Sequence, residues 1–109
     1  YNEGQFYRRH HDYIVGQNEL QPGARILTFF MYLNDVEEGG GTRFSDLDID
    51  ITPKKGKAVI WPAVLDENPT ELDARTYHEA LRVKKGIKYS VNSWIHLRDY
   101  KTPYMNRCI

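Results

Sequence analysis

The sequence predicts a mainly β domain of the sandwich or jelly-roll kind, and three observations predict it. Aromatic residues make up 13% of the chain, with eight tyrosines among them, and such side chains favour pleated, half-buried surfaces. Turn residues punctuate the chain at short intervals, leaving about seven extended segments between them. No stretch carries the apolar period of a long helix; a single helical turn is expected around residues 71–74.

Each element follows from local pattern. Residues 5–12 read as a strand, with Gly4 marking the turn before it. Residues 13–23 form a polar loop holding Gly16, Asn18, Pro22 and Gly23. A lid and an ordinary connection fit that loop equally well. Residues 25–33 are nearly continuous in apolar character, which suits a core strand covered on both faces. Gly39-Gly40-Gly41 lacks the strand-to-helix context and following Lys-Ser or Lys-Thr of a phosphate cradle, so a tight turn or bulge is expected. Residues 42–45 resume extended structure, and residues 46–51 alternate as a half-buried strand whose aspartates face solvent. Calcium does not suit those aspartates, because Ile51 stands where the loop glycine is required. Residues 57–61 make another strand, and residues 62–75 a polar connection. Residues 76–83 and 87–97 are expected to pair as a hairpin across Lys84-Lys85-Gly86.

Composition bounds the function. At 109 residues the chain is one domain, residues 1–109, and its opening at Tyr1 looks like the end of an element, as in a fragment of a longer chain. Fifteen basic and fifteen acidic residues cancel, so nothing argues for a nucleic-acid groove or an anionic membrane surface. The single cysteine, Cys108, excludes an intrachain disulfide. No apolar run is long enough to span a bilayer.

Chemistry concentrates in His10-His11-Asp12. In an extended chain residues two apart point the same way, so His10 and Asp12 present an imidazole and a carboxylate together while His11 faces away. A third ligand is available in His78. Two histidines and one carboxylate on one face of an ion leave the opposite positions open, which suits non-haem Fe(II) binding a cosubstrate and dioxygen together. On the last predicted strand Lys88, Ser90, Asn92, Trp94 and His96 share one face; Ile87, Tyr89, Val91, Ile95 and Leu97 share the other, which fits a buried packing face. If the polar row lines a cavity, Lys88 requires an anion, and a dicarboxylate chelating the metal at one end supplies one at the other. A solvated lysine is the plainer alternative.

Taken together, Tyr1-Asn2-Glu3-Gly4-Gln5-Phe6-Tyr7 before His10-His11-Asp12, then Arg25, Tyr32-Leu33-Asn34-Asp35-Val36-Glu37-Glu38-Gly39-Gly40-Gly41-Thr42, Gly56-Lys57-Ala58, His78-Glu79-Ala80-Leu81, Gly86-Ile87-Lys88-Tyr89 and Asn92-Ser93-Trp94-Ile95-His96, the chain resembles the catalytic domain of prolyl 4-hydroxylases of the algal, plant and collagen type. The resemblance runs from Tyr1 to about His96. It implies a double-stranded β-helix, here without the family's first strand and supporting helices, and hence a piece less stable than one extended upstream. It implies Fe(II) held by His10, Asp12 and His78, with 2-oxoglutarate and dioxygen as cosubstrates and ascorbate as an accessory reductant. Lys88 would meet the distal carboxylate of 2-oxoglutarate, assisted by Tyr1 and Thr42, with Tyr32 nearby. Arg25, Tyr7 and Trp94 match positions that contact a proline-containing peptide. The implied reaction hydroxylates peptidyl proline at C4 and releases succinate and carbon dioxide. In a eukaryote the implied compartment is the endoplasmic reticulum or secretory pathway. Arg82 replaces a proline common in the family, which bears on substrate preference. Two other readings stay open: the same centre acting on free proline, another side chain or a small molecule, and a non-catalytic jelly-roll module that binds a metal or a peptide. A zinc hydrolase fits less well, since no glutamate stands out as its base.

Overall fold

The computed structural model describes residues 1–19 and 23–98; Pro22, Cys108 and the aperiodic tail after Arg98 lie outside them. Among the described residues nine strands run in order: β1 Tyr7–His10, β2 Arg25–Tyr32, β3 Glu38–Gly39, β4 Thr42–Phe44, β5 Ile49–Ile51, β6 Ala58–Pro62, β7 His78–Ala80, β8 Val83–Lys85 and β9 Ser90–His96. They form one sheet of order β1-β7-β4-β5, a second of order β6-β2-β9, and a two-stranded ladder β3-β8. Every pairing is antiparallel. Because the chain passes repeatedly from one main sheet to the other, residues distant in sequence meet between them, as in a jelly roll. Helical structure among the described residues is limited to three 3-10 turns, at Val15–Glu19, Ser45–Leu47 and Ala74–Thr76. Among the described residues no helix is long and apolar enough to cross a membrane.

The centre of the second sheet is β2, as its run of Ile26, Leu27, Phe29, Phe30 and Met31 predicts. Its two faces are unequal, however. Thr28, Phe30 and Tyr32 are buried, while the residues between them are only partly covered. The buried set points toward the first sheet, where Phe30, Tyr32, Phe44 and Trp61 pack as one cluster edged by Ile51 and Val59. A smaller cluster of Tyr13, Ala24, Ala63 and Val64 closes one end.

Three expectations are corrected. Residues 76–83 and 87–97 do not form a hairpin: β7 pairs with β1 and β4, β8 with β3, and β9 with β2. Turn chemistry at Gly86 is present (φ 95°), but it redirects the chain between sheets instead of folding it back. Residues 46–51 are not one strand, since a 3-10 turn ends at Asp48 in the left-handed region (φ 55°) before β5 begins. The apolar row of β9 is not its packing face. Ile87, Tyr89, Val91 and Ile95 are each 45–59% exposed, and the polar row lines the interior cavity instead. The glycine run behaves as expected: Gly39 and Gly40 have positive φ at a register shift between β3 and β8. A Cβ on Gly39 would stand 2.3 Å from the Arg82 carbonyl oxygen, which only glycine avoids.

Candidate metal centre and active site

Strand register builds the site. His10 and His78 are direct cross-strand partners in the β1–β7 pair, and their rings lie 4.3 Å apart, centroid to centroid. Asp12 follows just after β1 and carries its carboxylate between them: Oδ1 lies 3.7 Å from His10 Nε2 and 3.6 Å from His78 Nε2. All three ligand atoms fall within 4.8 Å of one another. His10 Nδ1 lies 2.6 Å from the Arg8 carbonyl oxygen, and His78 Nδ1 lies 2.9 Å from that of Thr76. A carbonyl can only accept, so each ring carries its proton on Nδ1 and turns the Nε2 lone pair toward Asp12. Burial pushes His78 below the ordinary imidazole value, which keeps it neutral. Two imidazole nitrogens and one carboxylate oxygen converging on one point fit a divalent transition metal, and the orienting carbonyls are the outer partners such ligands use.

Asp12 is fixed from the other sheet. Its Oδ2 accepts from Thr28 Oγ1 at 2.6 Å and from Trp61 Nε1 at 3.1 Å. The Trp61 ring also packs on His78 at 4.8 Å, with Phe44 at 5.5 Å from the same imidazole. Sequence reasoning did not single out Thr28 or Trp61. The signal for Thr28 was its phase, as the one small polar side chain among the inward residues of β2; for Trp61 it was only that a buried indole N–H needs an acceptor.

A cavity of about 400 Å³ opens over these residues, lined also by Tyr1, Tyr7, Arg25, Thr42, Lys88 and Trp94. Lys88 is 2% exposed. Among the described residues its Nζ has neither a hydrogen bond nor an ion pair, only the rings of Tyr1, Phe30 and Tyr32 at 4.8, 5.5 and 5.6 Å. Desolvation lowers its pKa to about 8. Burial pushes the phenols of Tyr1 and Tyr32 up, so both stay protonated. Tyr32 stands behind the cavity wall rather than on it, with its hydroxyl 2.7 Å from Thr42 Oγ1. Toward the mouth, the Arg25 guanidinium lies over the Trp94 ring at 4.0 Å, and Tyr7 packs on His10 at 4.1 Å. His11 does not face away as expected: β1 ends at His10, so the alternation stops, and the His11 ring lies half-buried at the cavity with its edge to Tyr77. The loop after Asp12 is held by Tyr13, whose hydroxyl donates to the Thr70 carbonyl at 2.6 Å.

The profile of the 2OG-Fe(II) oxygenase superfamily matches residues 1–96. The chain belongs to that superfamily. The cofactors that go with membership are Fe(II) and 2-oxoglutarate. The oxygenase chain is 36% identical to human prolyl 4-hydroxylase subunit alpha-1 over 110 residues, covering 94% of this chain and 20% of that one. It is 33% identical to the probable prolyl 4-hydroxylase 8 of Arabidopsis thaliana over 120 residues, covering 92% of this chain and 41% of that one. Among solved structures it resembles the viral collagen prolyl hydroxylase of Paramecium bursaria Chlorella virus-1 in complex with 2OG. The TM-score there is 0.79 at 35% identity, across 91% of this chain and 56% of that one. The oxygenase chain thus spans little more than half the length of that structure and under half of the two sequence relatives.

Proposed function

We propose that this chain carries an Fe(II)- and 2-oxoglutarate-dependent hydroxylase centre that acts on peptidyl proline at C4. The observation that carries the proposal is the donor set, in which the Nε2 atoms of His10 and His78 and Oδ1 of Asp12 turn toward one another under an open cavity. When bound there, Fe(II) supplies the coupled oxidation by dioxygen that turns 2-oxoglutarate into succinate and carbon dioxide and hydroxylates C4. The protein's own part is placement. Lys88 holds the distal carboxylate of 2-oxoglutarate: an ammonium stripped of water and lacking a partner gains most from an anion that enters beside it. Thr42 and Tyr1 supply hydroxyls at that end, and Tyr32 orients Thr42. At the mouth, Trp94 offers a ring face for a pyrrolidine. Arg25 holds that ring on one side and has a buried Nε with no hydrogen bond in the structure, suited to a peptide carbonyl. Tyr7, 53% exposed, lines the same cavity and is a further peptide contact. Once peptide covers the mouth, water is excluded and the prolyl carbon is held at the metal side of the cavity.

The names of the relatives support proline in a peptide as the substrate. The test is to incubate the full-length protein with Fe(II), 2-oxoglutarate, dioxygen and a proline-rich peptide. One oxygen added to a prolyl residue, with an equal amount of succinate, is expected. Succinate formed with the peptide unchanged would point to another substrate; no succinate at all would leave a binding module.

A further inference from the structure

The donors on Asp12 do more than anchor it. A carboxylate can hold an ion through one oxygen or through both, and the two modes differ by one coordination position. In this structure the choice is set by a single rung of the second sheet. Thr28 is the register partner of Trp61 on β6 and of Trp94 on β9, so the three side chains lie abreast across β6-β2-β9. Two of them donate to the same atom, Oδ2 of Asp12, at 2.6 and 3.1 Å. Two donors match in number the two lone pairs of a carboxylate oxygen. The other oxygen is the one that faces both imidazoles. Thr28 is 1% and Trp61 6% exposed, and the Asp12 side chain 9%, so bulk water does not compete for these bonds.

We infer that Thr28 and Trp61 are positioning residues that keep Asp12 a one-oxygen ligand and thereby hold open the third position of the vacant face. The inference rests on the assignment of His10, Asp12 and His78 as the metal ligands. A bidentate keto acid needs two adjacent positions and dioxygen needs another. If Asp12 swung to chelate through both oxygens, one of those positions would be lost to the protein itself. Both bonds of the rung are needed to prevent this. Rotation of the carboxylate would break a short hydroxyl bond and take the indole N–H away from the acceptor it has in the structure, and a buried unpaired donor is costly.

The test uses full-length protein loaded with Mn(II), which accepts the same nitrogen and carboxylate donors, without oxygen. Water-proton relaxation counts the exchangeable positions on the ion, and calorimetry gives 2-oxoglutarate affinity. Thr28→Val keeps the shape and removes the hydroxyl; Thr28→Ser restores it; Trp61→Phe removes the indole donor. In Thr28→Val and in the double variant, relaxivity is expected to fall by about one third, as three open positions become two. Affinity for 2-oxoglutarate is expected to fall about tenfold or more. Thr28→Ser should return both to wild-type values. Should Trp61→Phe not fold, Thr28→Val alone carries the test. Unchanged relaxivity in Thr28→Val, with Mn(II) still bound and His78→Ala unable to bind it, overturns the inference and leaves the ligand assignment standing. Mn(II) binding that is indifferent to His78→Ala overturns the assignment itself.

Discussion

Replacing Lys88 by methionine should make the protein more stable and its cosubstrate binding far weaker. The side chain is 2% exposed, and among the described residues its ammonium meets three aromatic rings and the cavity, with no hydrogen bond or ion pair. The pKa falls from the ordinary 10.5 to about 8 because burial disfavours the charged form. At about 1.4 kcal/mol per tenfold change in proton affinity, that gap sets an upper bound of about 3 kcal/mol opposing folding at neutral pH, reduced by solvent screening from the cavity side. The sign is fixed by proton counting: between pH 8 and 10.5 the unfolded chain binds the proton that the folded chain has released, so stability rises with pH across that window. Below pH 8 the full cost is present. Methionine fills a similar volume with no charge, so Lys88→Met should gain up to about 3 kcal/mol at pH 7 and lose that advantage by pH 10.5. Its 2-oxoglutarate affinity should fall about 100-fold, the ordinary cost of truncating one side of a buried charge pair. Urea unfolding at pH 7 and pH 10, with and without 2-oxoglutarate, reads both effects. A variant no more stable than wild type at pH 7 would refute the unpaired-cation argument. Retained affinity would refute the placement of the carboxylate.

The same ammonium makes 2-oxoglutarate affinity pH-dependent in the wild type. The dissociation constant should rise about tenfold per pH unit above pH 8 and stay level just below it, measured by titration of Mn(II)-loaded protein without oxygen. His78→Ala should abolish 2-oxoglutarate turnover and weaken metal binding while the circular dichroism spectrum is kept; full turnover would remove the histidine from the centre. Trp94→Ala should raise the peptide KM about tenfold and leave peptide-free 2-oxoglutarate turnover unchanged, read by succinate release. Gly39→Val should cost at least about 2 kcal/mol in urea unfolding, because φ of 78° and a backbone oxygen 2.3 Å from the new Cβ leave it no room.

The sequence disclosed the centre better than the fold around it, for a physical reason. His10, Asp12, His78, Lys88 and Trp94 are polar or bulky residues whose chemistry does not depend on knowing their neighbours, and all five reach one cavity. Strand pairing depends on partners far away. A hairpin across Gly86 satisfies every local rule, yet β7 and β9 take their partners in different sheets. The outward apolar row of β9 misleads in the same way: alternation shows that two faces differ, but not which one meets the interior. Thr28 illustrates the remaining gap, since its hydroxyl matters only because Asp12 lies across from it, sixteen residues earlier.

The direct opposition of His10 and His78 ties the chemistry to the order of assembly. These residues are 68 positions apart (78 minus 10), and they face each other only when β1 and β7 align in one frame. A slip by a single residue would turn one imidazole to the outside and dismantle the centre, leaving the number of ladder bonds almost unchanged. Any ion that prefers the aligned pair therefore rewards the correct frame over its near neighbours, and adds RT ln(1 + [ion]/Kd) to its stability. A cation bound there would thus select the correct strand frame as well as seat the proposed reactivity.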